Sequence, residues 1–260
     1  MAITTLDQYI AANKQNITHV KTASLTSVAG AWFSGIHLAG APGAGTLAGT
    51  STTTGVVPTD ATAGCPPISF TTGTGYLTSV DFGSTVACRI CLYDMLWKAG
   101  AYAFNANTTG QTPTSYSSRV PGADYKGLGI WVEFVTASTG VQNVNISYIN
   151  QDGVAKTTGV VALVAGTVGR LIQVPLAAGD SGVQGITGVV GSVATVGTFN
   201  VLVLRPLWTG RCRIANDGDV HGLDKTGMPQ VYPDSALFVA VNADSTARGL
   251  PELYIEIANG

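Results

Sequence analysis

The chain has 260 residues, of which 45% are hydrophobic and only 11% charged, with 33 glycines and a formal net charge of -2. An ordinary soluble domain carries charge on roughly 25% of its residues, yet the apolar content here is ample for a buried core, so the chain is not disordered by composition. Without a Lys/Arg cluster it lacks the phosphate-directed attraction behind nucleic-acid binding, and its longest apolar run, residues 159–169, is too short for the roughly 20 residues of a membrane span.

The first residues, Met1 to Asp7, have neither a basic segment nor an apolar one, so no secretory signal is expected. Thr4 or Thr5 can cap a short helix that carries Leu6, Tyr9, Ile10 and Asn13 at helical spacing, with Asp7 near its positive end, and that ends near Asn16. From there β-branched and aromatic residues alternate with polar ones, with Gly, Pro or Asn every ten residues or so. The pattern predicts strands at 17–22, 31–38, 86–93, 128–136, 141–149, 155–161, 170–174, 198–204, 236–241 and 252–257. Residues 91–98 read as strand leading into a short helix, because Leu92, Met95 and Leu96 fit i, i+3, i+4. One hairpin is well specified, its turn being Asn150-Gln151-Asp152-Gly153.

Two stretches, 39–64 and 105–125, read as extended loops able to order against a neighbour. The expected fold is all-β, a jelly-roll-like or immunoglobulin-like β-sandwich with a short N-terminal helix. Its organisation is an arm and first strand over 1–24, followed by a sandwich domain over 25–260, with no repeat and no linker. Contact residues are expected where apolar side chains lack a periodic core partner: Leu6, Tyr9 and Ile10 in the arm, and Leu47, Val56, Val57, Tyr116 and Tyr125 in the loops.

Each motif that suggests chemistry lacks something its mechanism needs. Gly40-Ala41-Pro42-Gly43-Ala44-Gly45-Thr46 has the glycine spacing of a phosphate loop without its lysine. Gly179-Asp180-Ser181-Gly182 matches the nucleophile tetrapeptide of chymotrypsin-like proteases, but Val183 replaces the usual Gly and neither His19, His37 nor His221 sits in the family's histidine motif. Asp217, Asp219 and Gly222 occupy positions 1, 3 and 6 of a calcium loop whose twelfth position is Met228, and a polar turn is the better reading. Cys88 and Cys91 point to opposite faces if they lie on a strand, so they cannot chelate one metal, and with Cys65 and Cys212 they read as free thiols. Glu133, Glu252 and Glu256 show no spacing that argues for a glycosidase pair. No cofactor or metal is expected.

A set of β segments carries a positive signal: Leu92-Tyr93-Asp94-Met95-Leu96-Trp97, Trp131-Val132-Glu133-Phe134, Ser147 to Gly153, Pro175 to Val183, and Leu202-Val203-Leu204-Arg205-Pro206-Leu207. Over roughly residues 76–207 the chain resembles the virion structural proteins of tailed bacteriophages, in the group of capsid-associated β proteins. The resemblance implies a decoration or cement subunit without catalytic residues, bound to the major capsid protein and to copies of itself, in a virion assembled in the host cytoplasm. It departs from the shell protein itself, which has a long spine helix. A tail or receptor-binding β subunit is the alternative. The rivals from other classes are a hydrolase centred on Ser181, a carbohydrate-active β protein, and a sugar-binding module stacking on exposed Trp32, Trp97, Trp131 or Trp208. A neutral surface suits an assembling subunit, because charged residues are depleted at interface cores.

Overall fold

A computed structural model of the chain describes residues 3–192 and 196–260. Its elements are α1 (Leu6–Ala11), β1 (Asn13–Lys21), β2 (Trp32–Ser34), β3 (Gly40–Ala41), β4 (Gly75–Ser84), β5 (Cys88–Ala103), β6 (Asn107–Thr109), β7 (Gly129–Phe134), β8 (Gln142–Asn150), β9 (Ala155–Thr157), β10 (Val161–Leu163), β11 (Arg170–Val174), β12 (Val183–Gly191), β13 (Thr198–Cys212), β14 (Asp217–His221), α2 (Leu223–Thr226), β15 (Gln230–Val231), β16 (Leu237–Ala243) and β17 (Pro251–Asn259). The fold is thus predominantly β with a short N-terminal helix, as the alternation predicts.

The chain forms two compact units: Met1–Thr46, Thr59–Asp94 and Leu207–Gly260 make the first, and Leu47–Pro58 with Met95–Pro206 the second. The boundary falls inside two long strands, β5 and β13, each of which gives one half to each unit. No composition change marks such a boundary, since both halves of each strand are buried strand.

In the first unit, one sheet runs β14-β4-β17-β1-β3, with β15 on β4. The other contains β2, β16 and the first half of β5, with β16 antiparallel to both neighbours. Between them lie Ile17, Leu77, Val80, Phe82, Ile90, Leu92, Leu237, Val239, Val241, Leu253, Ile255 and Ile257. The second unit repeats the plan. Its sheet β10-β8-β12-β6 packs Val144, Ile146, Tyr148, Val183, Ile186 and Val189 against Ile130, Val132 and Phe134 of β7 and Phe199, Val201 and Val203 of β13. Strand β8 alternates buried and half-buried residues along its whole length, the pattern of a strand with one face on a core.

Several sequence expectations need correction. The helix stops at Ala11, and Asn13 to Asn16 already pair with Asn259 to Glu256 of β17. Residues 91–98 are strand throughout: Leu92 to Gly100 are buried in succession, so the apolar residues that mimicked a helical stripe fill both faces of a central strand. Residues 217–221 form an edge strand on β4 rather than a turn. Strands β4 and β12 escaped prediction because their glycines and threonines interrupt the alternation, as in Val183-Gln184-Gly185-Ile186-Thr187-Gly188, where two register shifts occur. The stretch 105–125 is not wholly loop, since it holds β6 and two 3₁₀ turns, Ser117–Arg119 and Pro121–Ala123.

Candidate interaction surfaces

The N-terminal arm is built by its cap. The Thr5 hydroxyl accepts from Gln8 N at 3.3 Å, and Gln8 Oε1 accepts from the amides of Thr4 (2.7 Å) and Thr5 (3.1 Å), which closes a reciprocal capping box. With only six residues, the helix depends on contacts rather than on its own cooperativity. Tyr9 provides them: its hydroxyl donates to Glu256 at 2.9 Å, Lys14 Nζ stands 4.3 Å from the ring centroid, and the ring packs beside Ile3, Tyr76 and Ala258. Leu6 and Ile10 are left in solvent, 66% and 64% exposed. Leu6 also lines a recess of about 230 Å³ with Ile3, Thr4, Thr5, Tyr9, Leu223 and Met228.

The loop residues divide. Val56 is exposed and exchanges backbone hydrogen bonds with Lys98. Val57 and Tyr125 are half-buried and pack on the core of the second unit, while Tyr116 lies inside it, its hydroxyl donating to Val183 O at 2.7 Å. Leu47 is buried as well. Four loop side chains expected to lack core partners therefore have neighbours in their own fold. The stretch 47–58 is anchored by side chains that reach its carbonyls: Trp97 to Thr54 O, Tyr102 to Thr52 O, and Asn200 to Leu47 O.

A surface that the sequence reading passed over lies on the second unit. Strands β9 and β10 pair with successive parts of β8 and form the outer edge of their sheet. Between them, Thr158 N donates to Ile146 O and the Thr158 hydroxyl accepts from Ile146 N, so the edge continues through the gap. Val160 is 72% exposed there, and Val154, Val164 and Val168 are exposed nearby in sequence. Proteins normally guard such edges with charge or proline, but Lys156 is the one charged residue from Val154 to Val168. The sequence signal for this edge is the apolar run 159–169, which is too short to span a membrane.

The first unit carries a polar recess of about 600 Å³ lined by Arg89, Thr209, Gly210, Arg211, Arg213, Asp219 and His221. Trp208 Nε1 donates to His221 Nδ1 at 2.9 Å, which leaves the imidazole proton on Nε2, 3.5 Å from Asp219. Arg211 faces Asp244 at 3.7 Å and Lys225 faces Asp219 at 3.4 Å. Three arginines against one carboxylate leave the lining basic, even with Arg211 facing Asp244.

The remaining motifs resolve into structural roles. Gly40 and Ala41 pair with β1, and no helix follows them. In the protease-like tetrapeptide, the amides of Ser181 and Gly182 both donate to Gln151 Oε1, so the Ser181 amide is not available to an oxyanion. Asp180 accepts from Tyr148 and Asn150, and these hydrogen bonds hold its carboxyl below the usual range. Cys88 is buried, whereas Cys91 on the same strand donates to Thr209 Oγ1 at 3.3 Å. All four cysteines are free. Trp97, Trp131 and Trp208 are buried, which removes three of the four candidate sugar platforms. Among the described residues, no group of three or more His, Cys, Asp or Glu side chains could hold a metal ion, and no helix is long and apolar enough to cross a membrane.

No family model and no curated protein matches the chain. Among solved structures it is similar to VP2 of infectious bursal disease virus, in a D431N mutant forming T=1 particles, at 12% identity over 95% of this chain and 77% of that one, with a TM-score of 0.19. Two further VP2 structures, of the Gx strain and of a subviral particle, are 12% identical over 95% of this chain and 41% of theirs, with TM-scores of 0.11. Scores at this level do not establish a shared fold.

Proposed function

We propose that the chain is a structural subunit of a virus particle, a non-enzymatic capsid component of the decoration or cement type in a bacteriophage, which docks on copies of itself and on the major capsid protein. The observation that carries the reading is the unguarded sheet edge at β9 and β10, with Val160 in solvent and one charge in fifteen residues. In a chain that lives alone in water, such an edge invites indiscriminate pairing; in a subunit, a neighbour covers it. The exposed Leu6 and Ile10 on a helix tethered mainly through Tyr9 add a second apolar contact, and the scarcity of charge limits repulsion between copies.

Sedimentation of the full chain tests the reading. Self-association is expected at micromolar concentration, and the double substitution Val160→Lys and Val164→Lys should abolish it while leaving the circular dichroism unchanged. Removal of residues 1–11, which stops short of β1, should weaken association and preserve the sheets. A chain that stays monomeric at all concentrations, or one whose association ignores both changes, refutes self-docking.

A further inference from the structure

The first unit encloses basic side chains where an apolar core would be expected. Along β1, Ile17, His19 and Lys21 are the buried positions, spaced by two and therefore on one face. Arg248, ahead of β17, is fully buried too. Its backbone is fixed, with Arg248 N donating to Leu25 O at 3.1 Å and Gly249 N to Ser24 Oγ at 3.0 Å. The guanidinium lies against Gly35: a methyl group there would come within 2.5 Å of Nη2 and 2.9 Å of Nη1.

Lys21 is provided for, since its ammonium donates to the carbonyls of Pro42 (2.8 Å), Leu38 (3.2 Å) and Gly43 (3.5 Å). Arg248 is not. Among the described residues, its Nε, Nη1 and Nη2 have no hydrogen-bond partner, and neither has Nδ1 of His19. No carboxylate forms an ion pair with Arg248 or Lys21 among these residues. Burial lowers the pKa of His19 to about 3 and those of Lys21 and Arg248 to about 8 and about 10, so at neutral pH the imidazole is uncharged and two cations remain. The thiol of Cys88, near Arg248, is pushed up by burial and stays neutral. A guanidinium has five N–H donors and cannot shed its charge at neutral pH. Leaving it buried with neither acceptor nor counter-charge costs several kcal/mol.

We propose that Arg248, with His19 and Lys21 beside it, forms a buried site for one small inorganic anion, a halide or a compact oxyanion, held by the guanidinium N–H groups. The complete burial of Arg248 and Lys21 excludes a phosphate that is part of a macromolecule. The ion supplies the missing acceptor and counter-charge, so binding is linked to the stability of the first unit. This inference is independent of the assembly reading.

Thermal unfolding of the full chain at matched ionic strength in sodium chloride, bromide, sulfate or gluconate is the first test. The midpoint should rise saturably by about 5 °C in at least one small anion at a hundredfold excess over its Kd, and not in gluconate, a bulky organic anion. Preference for the halides or for sulfate identifies the class. Arg248→Met keeps the length and removes the charge, and its midpoint should show no saturable rise in any of the four salts. Crystals grown in bromide should show an anomalous peak in hydrogen-bond contact with the Arg248 guanidinium, a readout that does not depend on the variant folding. The absence of a saturable rise for the wild type in every salt, a saturable rise that survives Arg248→Met, or ordered water without anomalous signal at the guanidinium would each overturn the proposal.

Discussion

Each unit buries one arginine completely, and the two are treated differently. In the second unit, Arg119 Nη1 donates to Pro58 O at 2.6 Å and Nη2 to Met95 O at 2.7 Å. In the first, the side-chain nitrogens of Arg248 meet no acceptor. The backbone around each explains the contrast. The stretch 47–58 has almost no ladder of its own, so its carbonyls stay open to side chains, and Asn200, Gln111, Tyr102, Trp97 and Arg119 take them. Around Gly35 the carbonyls are already used: Gly35 O accepts from Leu38 N, Ile36 O from Gly45 N, and Ala39 O from Thr22 N, while Lys21 holds those of Leu38, Pro42 and Gly43. A buried cation is tolerated where irregular backbone leaves oxygens unclaimed, and otherwise needs a counter-charge from elsewhere.

Matched substitutions should separate the two arginines by the largest margin. Arg119→Met strands the carbonyls of Pro58 and Met95 in a dry core, at about 1–3 kcal/mol for each buried group left unsatisfied, and should lower the unfolding free energy by about 3 kcal/mol. Arg248→Met removes a charge that satisfies nothing in the chain, and in gluconate should be neutral or stabilising by about 1–4 kcal/mol. Denaturant titration of both variants decides the matter; equal losses would dissolve the contrast.

Two glycines of the stretch 39–64 sharpen the comparison at smaller amplitude. Gly55, in the second unit, has φ +62°, and a Cβ there would overlap the Trp97 indole. Gly43, in the first, has no heavy atom within 4 Å of a modest methyl group and no positive φ. Gly55→Ala should cost about 2 kcal/mol from left-handed strain and overpacking, while Gly43→Ala should stay within about 0.5 kcal/mol. A comparable loss at Gly43 would mean that its segment is held as tightly as 47–58.

This stretch also marks where the sequence stopped being readable. Composition identifies 39–64 as irregular, which holds apart from the two residues of β3, but composition cannot say that Trp97, more than forty residues away, donates to Thr54 O. Strands with one buried face, such as β8, were legible because alternation is local. The burial of β5 on both faces was not, because an unbroken apolar run reads equally well as a helix. Among the candidate contact residues, the arm's Leu6 and Ile10 were readable as exposed, whereas Tyr116 was not readable as core, since its partner Val183 lies in a strand obscured by glycine. The cluster of His19, Lys21 and Arg248 was invisible: His19 and Lys21 alternate correctly on β1, but a basic residue on a strand is ordinarily assigned to the solvent face.

His19 gives a smaller effect than the loss expected at Gly55. Burial first, then the charges of Lys21 and Arg248, depress its pKa to about 3 in the fold, against an ordinary 6.5. Between those values the unfolded chain binds a proton that the folded chain refuses, so stability is present above pH 6.5 and is lost as the pH falls toward 3. The loss between pH 6.5 and 5.5 should be about 1 kcal/mol. The effect should be confined to the first unit, because all three histidines, His19, His37 and His221, lie in its segments. Native-state hydrogen exchange resolves the two: on going from pH 6.5 to 5.5, opening free energies should fall for amides of β1 and β17 and hold for those of β8 and β12. His19→Gln, which does not titrate, should flatten the response of β1. A bound anion should make the wild-type loss shallower, since an anion beside the imidazole favours its protonated form and lifts the folded-state pKa toward 6.5. The acid limb measured in bromide against gluconate therefore reports whether His19 and Arg248 share one ion: a shallower limb in bromide places both at the site, and parallel limbs separate them.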